Sequence, residues 1–235
     1  SLAGLTGSLA AAILLGIPLT VLFGMALEWL LIRRLYERDH LFQVLLTYGQ
    51  ILFFEELRSI LWGDDVHGVA VPALLNASIP LTENLSYPVY RLFISGVCLL
   101  LALGLYLLIQ KTRLGMMIRA GASNREMVQS LGIDIKLLYT LVFAIGVALA
   151  AFAGMINAPL SSVFPNMGGQ VLIICFVVVV IGGIGSVKGA LAASLMIGLA
   201  DTFGQVLLPE LAGMMVYLLM AAVLVWRPAG LFGKA

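Results

Sequence analysis

Seven apolar runs divide the chain, at 8–32, 41–62, 88–110, 137–157, 170–184, 190–207 and 211–226. A helix needs about 20 mostly apolar residues to cross the hydrocarbon core of a bilayer. Within that core only helices and closed barrels satisfy every backbone polar group. The chain is 62% hydrophobic and 11% charged, against about 25% charged in a soluble domain, so it has too few charges to clothe a soluble surface. The β-branched run Val171–Ile184 would suit a buried strand in water, but its length and its membrane setting favour helix. The expected fold is all-α: a polytopic transmembrane helical bundle of about seven spans in a single transmembrane domain, 1–235, embedded in a lipid bilayer.

Charge fixes the orientation. Arg33, Arg34 and Arg38 follow the first run, and Lys111, Arg113, Arg119, Arg125 and Lys136 the third. Lys188 follows the fifth, and Arg227 and Lys234 the seventh. The alternate connections, 63–87, 159–169 and 208–210, hold no Lys or Arg, and their acids are Asp64, Asp65, Glu83 and Glu210. Basic loops stay in the cytoplasm. This predicts an outer N-terminus and a cytoplasmic C-terminus, with 63–87 an extracytoplasmic loop that has room for a short hairpin. Val69/Val71 and Leu74/Leu75 are its candidate strand pairs. The opening SLAGLTGS lacks an initiating Met and shows no basic leader with a cleavage site, so segments upstream of it are expected.

The basic island 111–136, KTRLGMMIRAGASNREMVQSLGIDIK, is the most informative polar stretch. Ser123 with Glu126 three residues on has the form of a capping box, which opens a helix. Gly132 suits the left-handed residue that closes one. The product is a helix of about two turns with Met127, Val128 and Leu131 on one face. So short a helix cannot stand alone in water and must dock. Met127, Val128 and Leu131 are therefore expected to fill a groove on a partner, with Arg119 and Arg125 adding charged contacts.

Several features carry less. The glycine-rich 182–189 lacks the Gly-Lys-Ser/Thr order of a phosphate loop and reads as a tight turn. His40 and His67 are isolated, Cys98 and Cys175 lie in separate apolar runs, and Ser161 and Ser162 have no neighbouring base, so neither a metal site nor a nucleophilic centre is expected. The net charge of +1 gives no basic field for nucleic acid. Gly146, Ala150 and Gly154, and Ala190, Ser194 and Gly198, recur every four residues. Such small-residue stripes let membrane helices approach closely. Packing within one subunit is the expected use, and a dimer seam or pore wall the alternative. Arg58, three residues after Glu55, is expected to pair with it near the outer boundary. Asn157, Gln170, Asp201 and Thr202 are candidates for a translocation path, because polar residues in spans are functional by default. Asp201 has no basic partner in its own run, and either faces a watery path or pairs with another helix.

These residues fall in an order that resembles a known family. Arg33-Arg34-Leu35-Tyr36, Leu46-Thr47-Tyr48-Gly49 and Leu61-Trp62-Gly63 carry the resemblance in the first third. Thr112-Arg113-Leu114-Gly115, Arg119-Ala120, Arg125-Glu126-Met127 and Leu131-Gly132-Ile133 carry it through the island. Gly182-Gly183-Ile184-Gly185-Ser186 and Arg227-Pro228-Ala229-Gly230-Leu231-Phe232-Gly233 complete it. Together they resemble the LivH-like, branched-chain amino acid permease family of ATP-binding-cassette importers. Glu126 and Gly132 match the Glu and Gly of the Glu-Ala-Ala-x-x-x-Gly loop by which importer permeases dock on their ATPases, with Met127 and Val128 in place of the alanines.

The resemblance implies a bacterial inner-membrane, multi-pass permease that is not itself an enzyme. It implies a coupling role for Arg119, Ser123, Arg125, Glu126, Met127, Val128, Leu131 and Gly132. It implies no cofactor bound by this chain, with ATP held by two cytoplasmic ATP-binding-cassette ATPase subunits. A second permease subunit, related or identical, and an extracytoplasmic solute-binding protein complete the expected assembly. The cargo is expected to be a branched-chain amino acid or a similar small polar solute. The alternative is an ion-gradient-driven secondary transporter, which predicts polar, broken half-helices at the midplane. Asp201 is the only strong midspan charge of that kind recognised in the sequence.

Overall fold

A computed structural model describes residues 9–35, 40–66, 68–69, 71, 77–82, 85–183, 185–207 and 209–233. In chain order the helices are α1 (Leu9–Leu30), α2 (His40–Trp62), α3 (Val89–Lys111), α4 (Arg113–Ser123), α5 (Arg125–Ser130), α6 (Ile135–Ser161), α7 (Met167–Gly182), α8 (Val187–Leu207) and α9 (Ala212–Trp226). A 3-10 turn at Ile32–Leu35 follows α1. Strands β1 (Ser78–Thr82) and β2 (Leu85–Pro88) form an antiparallel hairpin with Ile79 opposite Tyr87 and a bulge between Pro80 and Thr82. Val69 and Val71 lie outside these strands. Tyr36, Arg38, Leu74, Leu75, Glu83, Ile184 and Lys234 lie outside the described residues.

The chain is an all-α polytopic membrane bundle, as its composition predicts. Among the described residues, four segments are long and apolar enough to cross a bilayer: Ile13–Leu35, Val89–Lys111, Ile135–Ser161 and Val187–Leu207. The other three apolar runs form helices of different character. α7 and α9 have 16 and 15 residues, about 24 and 22 Å at 1.5 Å per residue, short of a hydrocarbon core of about 30 Å. α2 is long enough at 23 residues, but it carries Gln43, Gln50, Glu55, Glu56 and Arg58.

The chain divides into two compact units. The first takes the described residues up to Leu101 together with Leu108–Pro165. Its main packing is between α1 and α6. Gly24 makes this approach close, since a Cβ there would lie 3.0 Å from both methyls of Val147. Pro18 sits inside α1, where it removes a helical N–H. Tyr90, at the start of α3, is buried and donates its hydroxyl to the Ile156 carbonyl in α6 at 2.7 Å. The second unit takes Ala102–Leu107 and the described residues from Asn166 on. Its core is Val177 and Ile181 of α7, Ala193 and Ile197 of α8 and Val223 of α9.

The α7–α8 turn is as tight as its glycines predict. A Cβ on Gly182 would fall 2.5 Å from the Gly189 backbone, and Ser186 caps α8 by accepting from Gly189 N at 3.0 Å. The C-terminal segment closes over the same turn. Leu231 N donates to Ile181 O at 2.8 Å and Phe232 N to Gly182 O at 3.2 Å. The two glycine motifs of the sequence, some 45 residues apart, are thus one packed object.

Candidate coupling surface and translocation path

The island folds as two helices. Thr112 ends α3 and starts α4, and its hydroxyl accepts from Gly115 N at 3.1 Å. Gly115 must be small, because a Cβ there would strike the carbonyl of Ile109. Arg119 also donates to Ile109 O through Nη1, so part of its fork holds the end of α3 and is unavailable to a partner. α4 then lies on α6, with Gly121 beneath Leu138 at 3.2 Å from the Cβ position.

The capping box expected at Ser123 and Glu126 does not form. Ser123 is the last residue of α4, and Asn124 caps α5 by accepting from Met127 N at 3.0 Å. Asn is as good an N-cap as Ser, and here it stands one residue nearer the helix. Glu126 lies in the first turn, where a negative charge suits the helix dipole. Gly132, at φ +82°, closes the helix as expected. Its N–H donates to Gln129 O at 2.9 Å, and that of Ile133 to Val128 O at 3.4 Å, the paired bonds of a Schellman ending.

The expected apolar face divides in two. Val128 is 3% exposed and sits in the unit that also buries Ile135 and Leu138 of α6. Met127 and Leu131 are 64% and 72% exposed. Val128 is therefore the root of α5, and Met127 and Leu131 are its free edge. The side chain of Arg125 lies outside the described residues.

The island is tied onward to α1. Asp134 caps α6 by accepting from Lys136 N at 2.9 Å and Leu137 N at 3.2 Å. Within the next two turns Thr140 donates to Glu28 Oε2 in α1 at 3.0 Å. Glu28 is fully buried. A buried carboxyl needs partners, and this one joins the two most closely packed helices of its unit. Sequence reasoning passed over it. The signal was there: one acid inside an otherwise apolar first run.

The four path candidates fall in different units of the chain. Asn157, in α6 of the first unit, donates to Ser161 Oγ at 3.0 Å. Gln170 of α7 and Thr202 of α8 are exposed in the second unit. Thr202 donates to Gly198 O at 2.7 Å. Asp201 is half-buried and accepts at Oδ2 from Gln205 Nε2 at 2.9 Å. Gln205, four residues on, completes a pair that the sequence reading missed.

Elsewhere one expectation is corrected. Arg58 does not pair with Glu55. It turns to the end of its own helix, donating to Gly63 O at 2.8 Å and Asp64 Oδ1 at 3.0 Å. Within the small-residue stripes, nothing described lies within 4 Å of a Cβ placed on Gly146, Gly154 or Gly198, whereas Ala190 packs on the α7–α8 turn, its nitrogen 2.6 Å from the Cβ position of Gly182.

Long apolar helices and a short capped helix leading into α6 define a polytopic membrane protein. The chain belongs to the family described as the permease component of the branched-chain amino acid transport system, which matches residues 2–224. It is 31% identical over 232 residues to the high-affinity branched-chain amino acid transport permease protein BraD of Pseudomonas aeruginosa, covering 95% of this chain and 74% of that protein. It is 29% identical over 231 residues to LivH of Escherichia coli, covering 96% and 74%. The probable LivH of Methanocaldococcus jannaschii is 31% identical over 151 residues, or 60% and 48%. No solved structure matches significantly.

Proposed function

We propose that this chain is a permease subunit of an ATP-driven importer in a bacterial inner membrane, moving branched-chain amino acids delivered by an extracytoplasmic binding protein. The family match over residues 2–224 carries this reading. The basic island, on this reading, faces the cytoplasm with the C-terminus. Its free edge, Met127 and Leu131, enters a groove on one of two ATP-binding-cassette subunits. ATP stays on those subunits, and a second permease subunit completes the pathway. The β1–β2 hairpin and the Arg58–Asp64 corner form the outer surface that meets the binding protein.

The packing of the first unit supports a route for the force. A push on Met127 and Leu131 passes through buried Val128 into the first turns of α6. From there the Thr140–Glu28 hydrogen bond carries it to α1. Two packed arrangements differing by a few kcal/mol suffice for alternating access. Asn157, Gln170, Asp201 and Thr202 are the proposed path residues.

The test is ATP-dependent leucine uptake by membrane vesicles, with co-purification of the ATPase. Leu131→Asp places a charge on the free edge and is expected to abolish both, with normal membrane levels of the permease. Wild-type uptake and ATPase recovery in Leu131→Asp and Met127→Asp would remove the coupling role of α5. Uptake driven by an ion gradient without ATP would favour the secondary transporter.

A further inference from the structure

α8 has two unlike faces. Gly189, Ala193, Ile197 and Gly204 are buried, and Ala193 and Ile197 belong to the core with α7 and α9. Ser194, Gly198, Thr202 and Gln205 are exposed, with Asp201 half-buried beside them. At spacings of three and four these residues share one side of the helix. The helix is itself long and apolar enough to cross a bilayer. Asp201 lies about 21 Å along it from Val187 and about 9 Å from Leu207, at 1.5 Å per residue.

The hydrogen-bond bookkeeping of this face is one-sided. Ser194 donates its hydroxyl to Leu191 O at 2.9 Å, and Thr202 donates to Gly198 O at 2.7 Å. Gln205 donates to Asp201 Oδ2. The hydroxyl protons are thus occupied within the helix, along with one amide hydrogen. What the face turns outward is chiefly acceptor: the second carboxylate oxygen of Asp201, the Gln205 carbonyl and the hydroxyl lone pairs. No Lys, Arg or His lies between Gly189 and Leu207 to neutralise it. Its complement is a compact cationic donor. A primary ammonium, with three N–H donors and one positive charge, fits that description.

We propose that the exposed face of α8, centred on Asp201 and Gln205, receives the α-ammonium group of the amino acid as it crosses the membrane. This rests on the importer reading above and deepens it, adding Gln205 and Ser194 to the path and giving Asp201 a chemical role. Gln205 is a positioning residue. Its amide holds Oδ2 and leaves the other carboxylate oxygen directed at the cargo. The branched aliphatic side chain then needs no polar partner of its own.

The test reads charge at the site without needing transport. In the full chain in native membrane vesicles, Cys98→Ser and Cys175→Ser remove the two native thiols, and Thr202→Cys supplies one on the face. Trimethylammonioethyl and sulfonatoethyl methanethiosulfonate then probe it, with rates corrected for reaction with a free thiol. The cationic reagent is expected to react about 10-fold faster or more, as clefts of one sign concentrate the opposite charge. Asp201→Asn is expected to bring the ratio close to unity. Equal rates with Asp201 present would overturn the proposal. So would no reaction with either reagent, which would mean that lipid or a second permease covers the face. Leucine uptake provides the second arm, with Asp201→Asn expected to lower it about 10-fold at unchanged membrane level. Unchanged uptake in that variant would overturn the proposal. Absence of ATP-driven uptake in the wild type would overturn the importer reading instead, and the labelling ratio would still decide the charge of the face.

Discussion

Gly183 and Gly230 meet backbone to backbone, so that a Cβ on Gly230 would lie 2.6 Å from the Gly183 nitrogen. Both residues are left-handed, at φ +92° and +81°. Each therefore needs glycine twice over, for its dihedral and for its neighbour. The contact lets Leu231 and Phe232 reach the end of α7 and seals the core around Ile181 and Val223.

Gly230→Ala is accordingly expected to destabilise the second unit by about 1–3 kcal/mol from the dihedral strain alone, with a further cost from the collision. Gly185 is the control, since it has the same φ of +81° but open space around it. Gly185→Ala should cost less than Gly230→Ala. Thermal unfolding in detergent measures the difference, and equal losses would mean that the close contact does not form.

The Thr140–Glu28 bond makes a separate prediction. Removing one partner leaves a buried polar group without it, which costs about 1–3 kcal/mol. Thr140→Val and Glu28→Gln should therefore couple in a double-mutant cycle by about 1 kcal/mol, within the range found for polar contacts between membrane helices. Additive losses would show that the two residues do not meet. On the proposed mechanism, Thr140→Val should also slow uptake more than it slows ATP hydrolysis.

The start of α5 separates two capping schemes. Asn124→Ala should raise hydrogen exchange at the Met127 amide and cost about 1 kcal/mol of local stability. Ser123→Ala should leave that amide unchanged. The reverse result would restore the Ser123–Glu126 box.

The helices were legible because the bilayer leaves the backbone few choices. Even the β-branched run before Gly182 forms helix α7. Helix ends were less so, because caps are local contests. Asn124 and Ser123 differ by one position, and only the packed geometry chooses between them. Asp134 moves the start of α6 to Ile135, two residues ahead of the apolar run. The opposite fates of Val128 and Met127 were not legible, because adjacent apolar residues look alike until α6 takes one of them. The partner of Arg58 followed the same logic. Glu55 has the right spacing along a helix, but Gly63, at φ +75°, folds the chain back and delivers Asp64.

That corner gives a pH prediction. Asp64 accepts from the Ser59 hydroxyl at 2.9 Å and from the Arg58 guanidinium. These bonds, the hydroxyl's first, hold its carboxyl below the ordinary aspartate range. A depressed carboxyl stabilises the folded form above its unfolded pKa of about 3.9, and that contribution fades as pH falls through the folded value. The corner should thus be intact at neutral pH and loosen below about pH 4. Asp64 is exposed, so the effect is local and also weakens with salt. It is read as faster hydrogen exchange at the Gly63 amide, which donates to Ser59 O, after correction for the intrinsic pH dependence of exchange. Asp64→Asn should show the looser exchange already at neutral pH and respond little to acid. If the wild type and Asp64→Asn exchanged alike at pH 7, the carboxylate would not be what holds the end of α2.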